Sequence, residues 1–108
     1  MMRGDLVTIS LQGDFGKPRP ALVIQADLYH ALSSTTVLPV TSTPLDAPLL
    51  RIALLPNTGN GLQKTSYVMI DKMMTLRNDR IGSAFGAVSA ETLVTVERCL
   101  AVFLGIAK

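Results

Sequence analysis

Gly16-Lys17-Pro18-Arg19-Pro20-Ala21-Leu22-Val23-Ile24 places two cations on a proline-stiffened backbone and then runs straight into four apolar residues. Each proline fixes its own φ near about −65° and pushes the residue before it toward extended conformations, so Lys17 and Arg19 lead into a strand. That strand, Ala21 to Gln25, is too apolar to keep one wet face and is expected at the centre of a sheet. At its mouth, the guanidinium of Arg19 offers a planar fork of donors that suits phosphate oxygens better than a point charge does. On its own, the commoner reading of the stretch is an edge strand opened by Pro20, with Arg19 in solvent.

Outward from this strand the chain reads as short strands separated by turns. Leu6 to Ser10 alternates along the backbone, and Gln12 to Lys17, with glycines on both sides of Asp14, is a turn. Asp27 to Ser34 has room for one helical turn, and Thr35 to Thr41 is a third strand rich in β-branched residues. A proline-bracketed loop, Thr43 to Pro48, precedes a strand over Leu50 to Leu55 in which Arg51 interrupts the apolar side. Pro56 to Gly61 is the strongest turn. Tyr67 to Asp71, Met73 to Leu76 and Ile81 to Phe85 then read as strands, giving a small barrel or a strongly bent sheet.

The carboxy-terminal segment changes period. Ser89 is a candidate N-cap with Glu91 in the first turn, and the helix is expected from Ala90 to Leu104, ended by Gly105. Leu93, Val96, Leu100 and Phe103 or Leu104 form a stripe for the core. The run Cys99 to Leu104 is apolar on all sides, which calls for burial by a second subunit as well as by the sheet.

Composition supports that expectation. The 108 residues are 48% hydrophobic and only 17% charged, against about 25% charged in ordinary soluble domains, so a single domain with part of its exterior covered in an oligomer is expected. Ten Lys and Arg against eight Asp and Glu leave a net charge of +2, which tolerates an anionic partner without being a nucleic-acid signature. The single cysteine, Cys99, excludes an internal disulfide and a cysteine zinc framework. The lone histidine, His30, has no metal-type neighbour in sequence and reads as a surface or structural residue. No stretch reaches the roughly 20 apolar residues that span a bilayer, and Met1 to Asp5 carries no secretory run, so a cytoplasmic protein without membrane contact is expected.

Four segments in order carry a family likeness. Gly4-Asp5-Leu6-Val7 opens the first strand, and Gly16-Lys17-Pro18-Arg19-Pro20-Ala21-Leu22-Val23-Ile24 opens the second. Leu38-Pro39-Val40-Thr41-Ser42 closes the third, and Gly61 through Lys72 leads on to Thr75-Leu76. With the Val88-Ser89-Ala90-Glu91 helix start, the chain resembles the MazF/PemK family of toxin–antitoxin ribonucleases along nearly its whole length.

The resemblance implies one domain over residues 1–108, an SH3-like β-barrel with a carboxy-terminal helix, of the MazF/PemK/CcdB kind. It implies a homodimer that cleaves single-stranded RNA without a metal or other cofactor and is held by a cognate antitoxin. Cleavage in the family proceeds by attack of the ribose 2′-hydroxyl on the adjacent phosphorus, leaving a 2′,3′-cyclic phosphate. By the same resemblance, Arg19 is the catalytic cation and Thr41 the phosphate-facing hydroxyl, with Lys17, Ser42 and Asp71 as substrate-binding residues. The chain departs from its relatives in three places: the segment Leu11 to Gly16 is short and lacks a glutamate, Met69 stands where some relatives have an arginine, and Lys72 stands where they have glutamine. Two other readings remain on the same barrel: a non-catalytic protein-binding toxin resembling CcdB, and a degenerate dimer that only binds its antitoxin. The Lys-Pro-Arg-Pro and Pro-Val-Thr-Ser pair favours the nuclease.

Overall fold

Period-two alternation in the first three strands sends their side chains alternately into two separate cores. In a computed structural model, which describes residues 1–11 and 17–108, these strands are β1 (Asp5–Ile9), β2 (Arg19–Val23) and β3 (Ser34–Thr41), neighbours in one antiparallel sheet. Leu6, Leu22, Leu38 and Val40 enter the larger core, and Val7, Ile9, Ala21, Val23 and Val37 enter the smaller one on the opposite face. β2 is therefore central and dry on both faces, as its uninterrupted apolar run requires. The turn expected over Gln12 to Gly16 lies outside the described residues.

The long β3 bends the sheet by changing partners along its length. Its first half pairs with β6 (Met74–Arg77), its middle with β2, and its last residues with β5 (Ser66–Met69), which in turn pairs with β4 (Arg51–Leu54). β7 (Ile81–Ala87) pairs with β1 through a register shift between Leu6 and Val7 and another between Val7 and Ile9, the irregularities that let a sheet curl. The path β4-β5-β3-β2-β1-β7 does not close by a ladder. Instead the loop after β4 reaches β7: Ala87 N donates to Gly59 O at 3.0 Å, and Gly86 packs so tightly on the Asn60 backbone that only a glycine fits. The result is the SH3-like architecture with its last seam made by a loop.

The helix α1 (Ala90–Phe103) covers the larger core. Ser89 caps it by accepting from Thr92 N at 3.1 Å, and Val96, Cys99 and Leu100 are buried against the sheet. The expected stripe stops there. Phe103 and Leu104 are 48% and 49% exposed and do not join the core that holds Val96, Cys99 and Leu100. Three strands also end earlier than their sequence patterns suggest: β2 stops at Val23, β4 at Leu54, and β5 at Met69, where Ile70–Lys72 winds into a 3-10 turn that buries Ile70 and carries Asp71 away from the ladder. The expected helical turn after β2 is the 3-10 segment Asp27–Tyr29, where exposed His30 contacts the Asp27 carbonyl through Nδ1. No helix among the described residues is long and apolar enough to cross a membrane.

Candidate active site

Antiparallel pairing of β2 and β3 decides which residues meet. Ala21 lies opposite Pro39 at the end of the β2–β3 ladder, which leaves Arg19, at the start of β2, and Thr41, at the end of β3, at the same end of the paired strands. Both line a cavity of about 740 Å³ together with Lys17, Ser42, Lys64 and Lys72. Its apolar wall includes Ile9, Leu62, Met69 and Met74.

Among the described residues, the charges that line this cavity are of one sign. Lys17, Arg19, Lys64 and Lys72 are four of the ten cations of a chain whose net charge is only +2, and no carboxylate is among the described residues lining it. A hollow bearing one sign of charge beside low-dielectric walls focuses the field on an anion. Hydroxyls complete the lining. Thr41 Oγ1 accepts a hydrogen bond from Thr43 N at 3.1 Å, which orients the hydroxyl and leaves its own proton to donate. Ser66 Oγ donates to Lys64 O at 3.0 Å and pins the segment that carries Lys64 onto β5.

Four of the five residues expected at the site, Lys17, Arg19, Thr41 and Ser42, line this cavity. Asp71 does not. Its carboxylate Oδ1 accepts from Arg51 Nη1 at 2.5 Å, and Oδ2 lies 3.7 Å from Lys72 Nζ. The hydrogen bond from Arg51 is the main cause that holds the Asp71 carboxyl below its ordinary value of 3.8. It is ionised at neutral pH and serves as an acceptor, not a proton donor. Arg51, which reads in sequence as a break in an apolar strand, is the partner of this carboxylate. Lys64 and Lys72 are cavity residues that sequence reasoning passed over. A lysine after a glycine-rich turn carries no signal of the wall it will join, although Lys72 was visible as a departure from the family pattern.

The fold, a bent sheet with a covering helix, has known counterparts. Residues 2–104 match the family described as PemK-like, MazF-like toxin of type II toxin–antitoxin system, and the chain belongs to that family. It is 44% identical over 108 residues to a protein named probable endoribonuclease MazF from Mycolicibacterium smegmatis, with 99% of each chain covered. A solved structure described as an endoribonuclease in complex with its cognate antitoxin, from a mycobacterial species, shares the fold with a TM-score of 0.84. It is 23% identical, over 100% of this chain and 98% of that one. A MazE–MazF structure from Deinococcus radiodurans has a TM-score of 0.79 at 25% identity, over 99% of this chain and 97% of that one.

Proposed function

We propose that the cavity at the β2–β3 junction is the active site of a metal-independent endoribonuclease, the toxin of a type II toxin–antitoxin pair, that cleaves single-stranded RNA. The observation that carries this reading is the antiparallel register that brings Arg19 and Thr41 to one hollow holding four cations and no described carboxylate. In the reaction, the ribose 2′-oxygen bonds to the adjacent phosphorus while the bond from phosphorus to the 5′-oxygen breaks. One proton leaves the 2′-hydroxyl, another reaches the leaving oxygen, and the products end in a 2′,3′-cyclic phosphate and a 5′-hydroxyl. Charge gathers on the non-bridging oxygens of the pentacoordinate state. The fork of Arg19 is suited to bind two of those oxygens, with Thr41 donating to one, and a preorganised donor of this kind contributes about 3 to 4 kcal/mol. Lys17 and Ser42 hold the flanking RNA. Asp71, turned away from the hollow, reaches RNA only through its neighbours.

The working unit is a homodimer. Val102, Phe103, Leu104 and Ile106 are 41% to 77% exposed at the end of α1, beside an apolar hollow lined by Ala47, Pro48, Leu49 and Leu50. A second copy covering this face accounts for the low charged fraction of the chain. The cognate antitoxin engages the cationic cavity with an acidic, partly disordered segment and so excludes RNA. The site of action is the cytoplasm, where the transcripts are.

Incubation with a long single-stranded RNA in EDTA tests the reading. Discrete cuts ending in cyclic phosphate support it. Intact RNA under conditions where the protein is folded sinks it, and leaves a binding toxin or an antitoxin-binding dimer.

A further inference from the structure

We infer that Lys72 is a phosphate-binding residue of the RNA site and that Arg51 and Asp71 are its positioning residues; this rests on the reading of the cavity as an RNA site. Three contacts fix the turn that carries Lys72. Ile70 is fully buried in the larger core, and its N–H donates to Leu50 O at 3.0 Å. Arg51 lies opposite Met69 in the β4–β5 ladder, and its Nη1 bridges Leu50 O at 2.8 Å and Asp71 Oδ1 at 2.5 Å. The turn is thus clamped to β4 on both sides of its buried residue.

What the clamp holds is a charge aimed at the hollow. Asp71 presents its second oxygen to Lys72 Nζ at 3.7 Å, an ion pair too long for a direct hydrogen bond, while Lys72 lines the cavity with a side chain 58% exposed. Arg51 makes the closer contact with Asp71, so the longer ion pair restrains Lys72 while leaving its ammonium donors for a ligand. A lysine normally loses much rotamer freedom when it binds, and a tether that already restricts it lowers that cost. Lys72 binds a backbone phosphate next to the reacting one, a contact present equally before and during cleavage.

The test uses the 108-residue chain and a short mixed-sequence 2′-O-methyl RNA, which lacks the attacking hydroxyl. Lys72→Gln is expected to weaken binding about tenfold and Lys72→Arg to restore most of it, since a charge-assisted hydrogen bond is at stake. The slope of log K against log salt should fall by about 0.7 in Lys72→Gln, the share of one single-strand phosphate contact. With a cleavable RNA, KM rises and kcat holds, because the contact is the same in the ground and transition states.

Positioning is read from a double-mutant cycle: in an Asp71→Asn background, Lys72→Gln should cost less than about twofold. Asp71→Glu, which keeps the charge and displaces it by one methylene, gives a second cycle should the asparagine variant fold poorly. An unchanged affinity and salt slope in Lys72→Gln overturns the phosphate contact. Equal costs of Lys72→Gln in all backgrounds overturn the positioning role. A wild type that neither binds nor cleaves RNA removes the proposed function itself, and this inference with it.

Discussion

Arg51 and Asp71, twenty residues apart in sequence, form one charge-assisted pair at 2.5 Å, with side chains only 10% and 22% exposed. The pair joins the first residue of β4 to the turn that follows β5, so it ties the chain together where the ladder ends. Both partners are largely withdrawn from water, which makes loss of either one more damaging than loss of a surface ion pair.

The pair makes stability depend on acid. Because the hydrogen bond from Arg51 lowers the folded-state pKa of Asp71 below 3.8, its contribution is fully present above that pH. It is lost as pH falls from 3.8 through the lower folded-state value, where protonation removes the charge that Arg51 binds. Asp71→Asn should destabilise the protein by about 1 to 2 kcal/mol at neutral pH. Melting curves of the two proteins across the acid range should converge below 3.8. A gap that stays constant with pH would show that the asparagine acts through packing instead.

Arg19→Ala should lower cleavage by about a hundredfold or more while leaving the fold in place, because an exposed cation contributes at most about 1 kcal/mol to stability. Arg19→Lys should recover only part of the rate, since an ammonium cannot bridge two oxygens. Single-turnover cleavage together with circular dichroism checks both halves. A wild-type rate in the alanine variant removes Arg19 from the reaction.

Thr41→Val keeps the shape of the side chain and removes its hydroxyl, and the rate should drop by about ten- to a hundredfold. The same change also strips Thr43 N of its acceptor. Thr41→Ser separates the two effects: it retains the hydroxyl and should stay within a few-fold of wild type. If valine and threonine cleave alike, Thr41 is a strand residue and the phosphate meets another donor.

That Arg19 and Thr41 line one hollow was legible in sequence, because each stands at the end of a patterned strand and a short connection permits antiparallel neighbours. Their roles came from the family resemblance, since strand pattern alone favours a solvated arginine and an ordinary strand-end threonine. The stop of the core stripe at Leu100 was not, because an apolar run looks the same whether the sheet or a second subunit covers it. Nor was the partner change along β3, which pairs with β6, β2 and β5 in turn, since each half of its β-branched run is equally strand-like. The Arg51–Asp71 pair escaped for a different reason: β4 and the turn after β5 meet only through the sheet register, and the motif that holds Asp71 says nothing of Arg51. The cationic count of the cavity likewise depends on Lys64 and Lys72 arriving from a segment distant from Lys17 and Arg19.

The end of α1 supplies the last test. Val102 is 41% exposed and borders the apolar hollow formed with Pro48, Leu49 and Phe103, so a glutamate there stays hydrated in a lone chain but is stranded in a covered face. An unpaired carboxylate buried at an interface costs several kcal/mol, about enough to dissociate a micromolar dimer. Light scattering at micromolar concentration should therefore give a dimer mass for the wild type and a monomer or aggregate for Val102→Glu. A monomeric wild type refutes the homodimer, and a Val102→Glu variant that remains a stable dimer moves the interface away from the helix end.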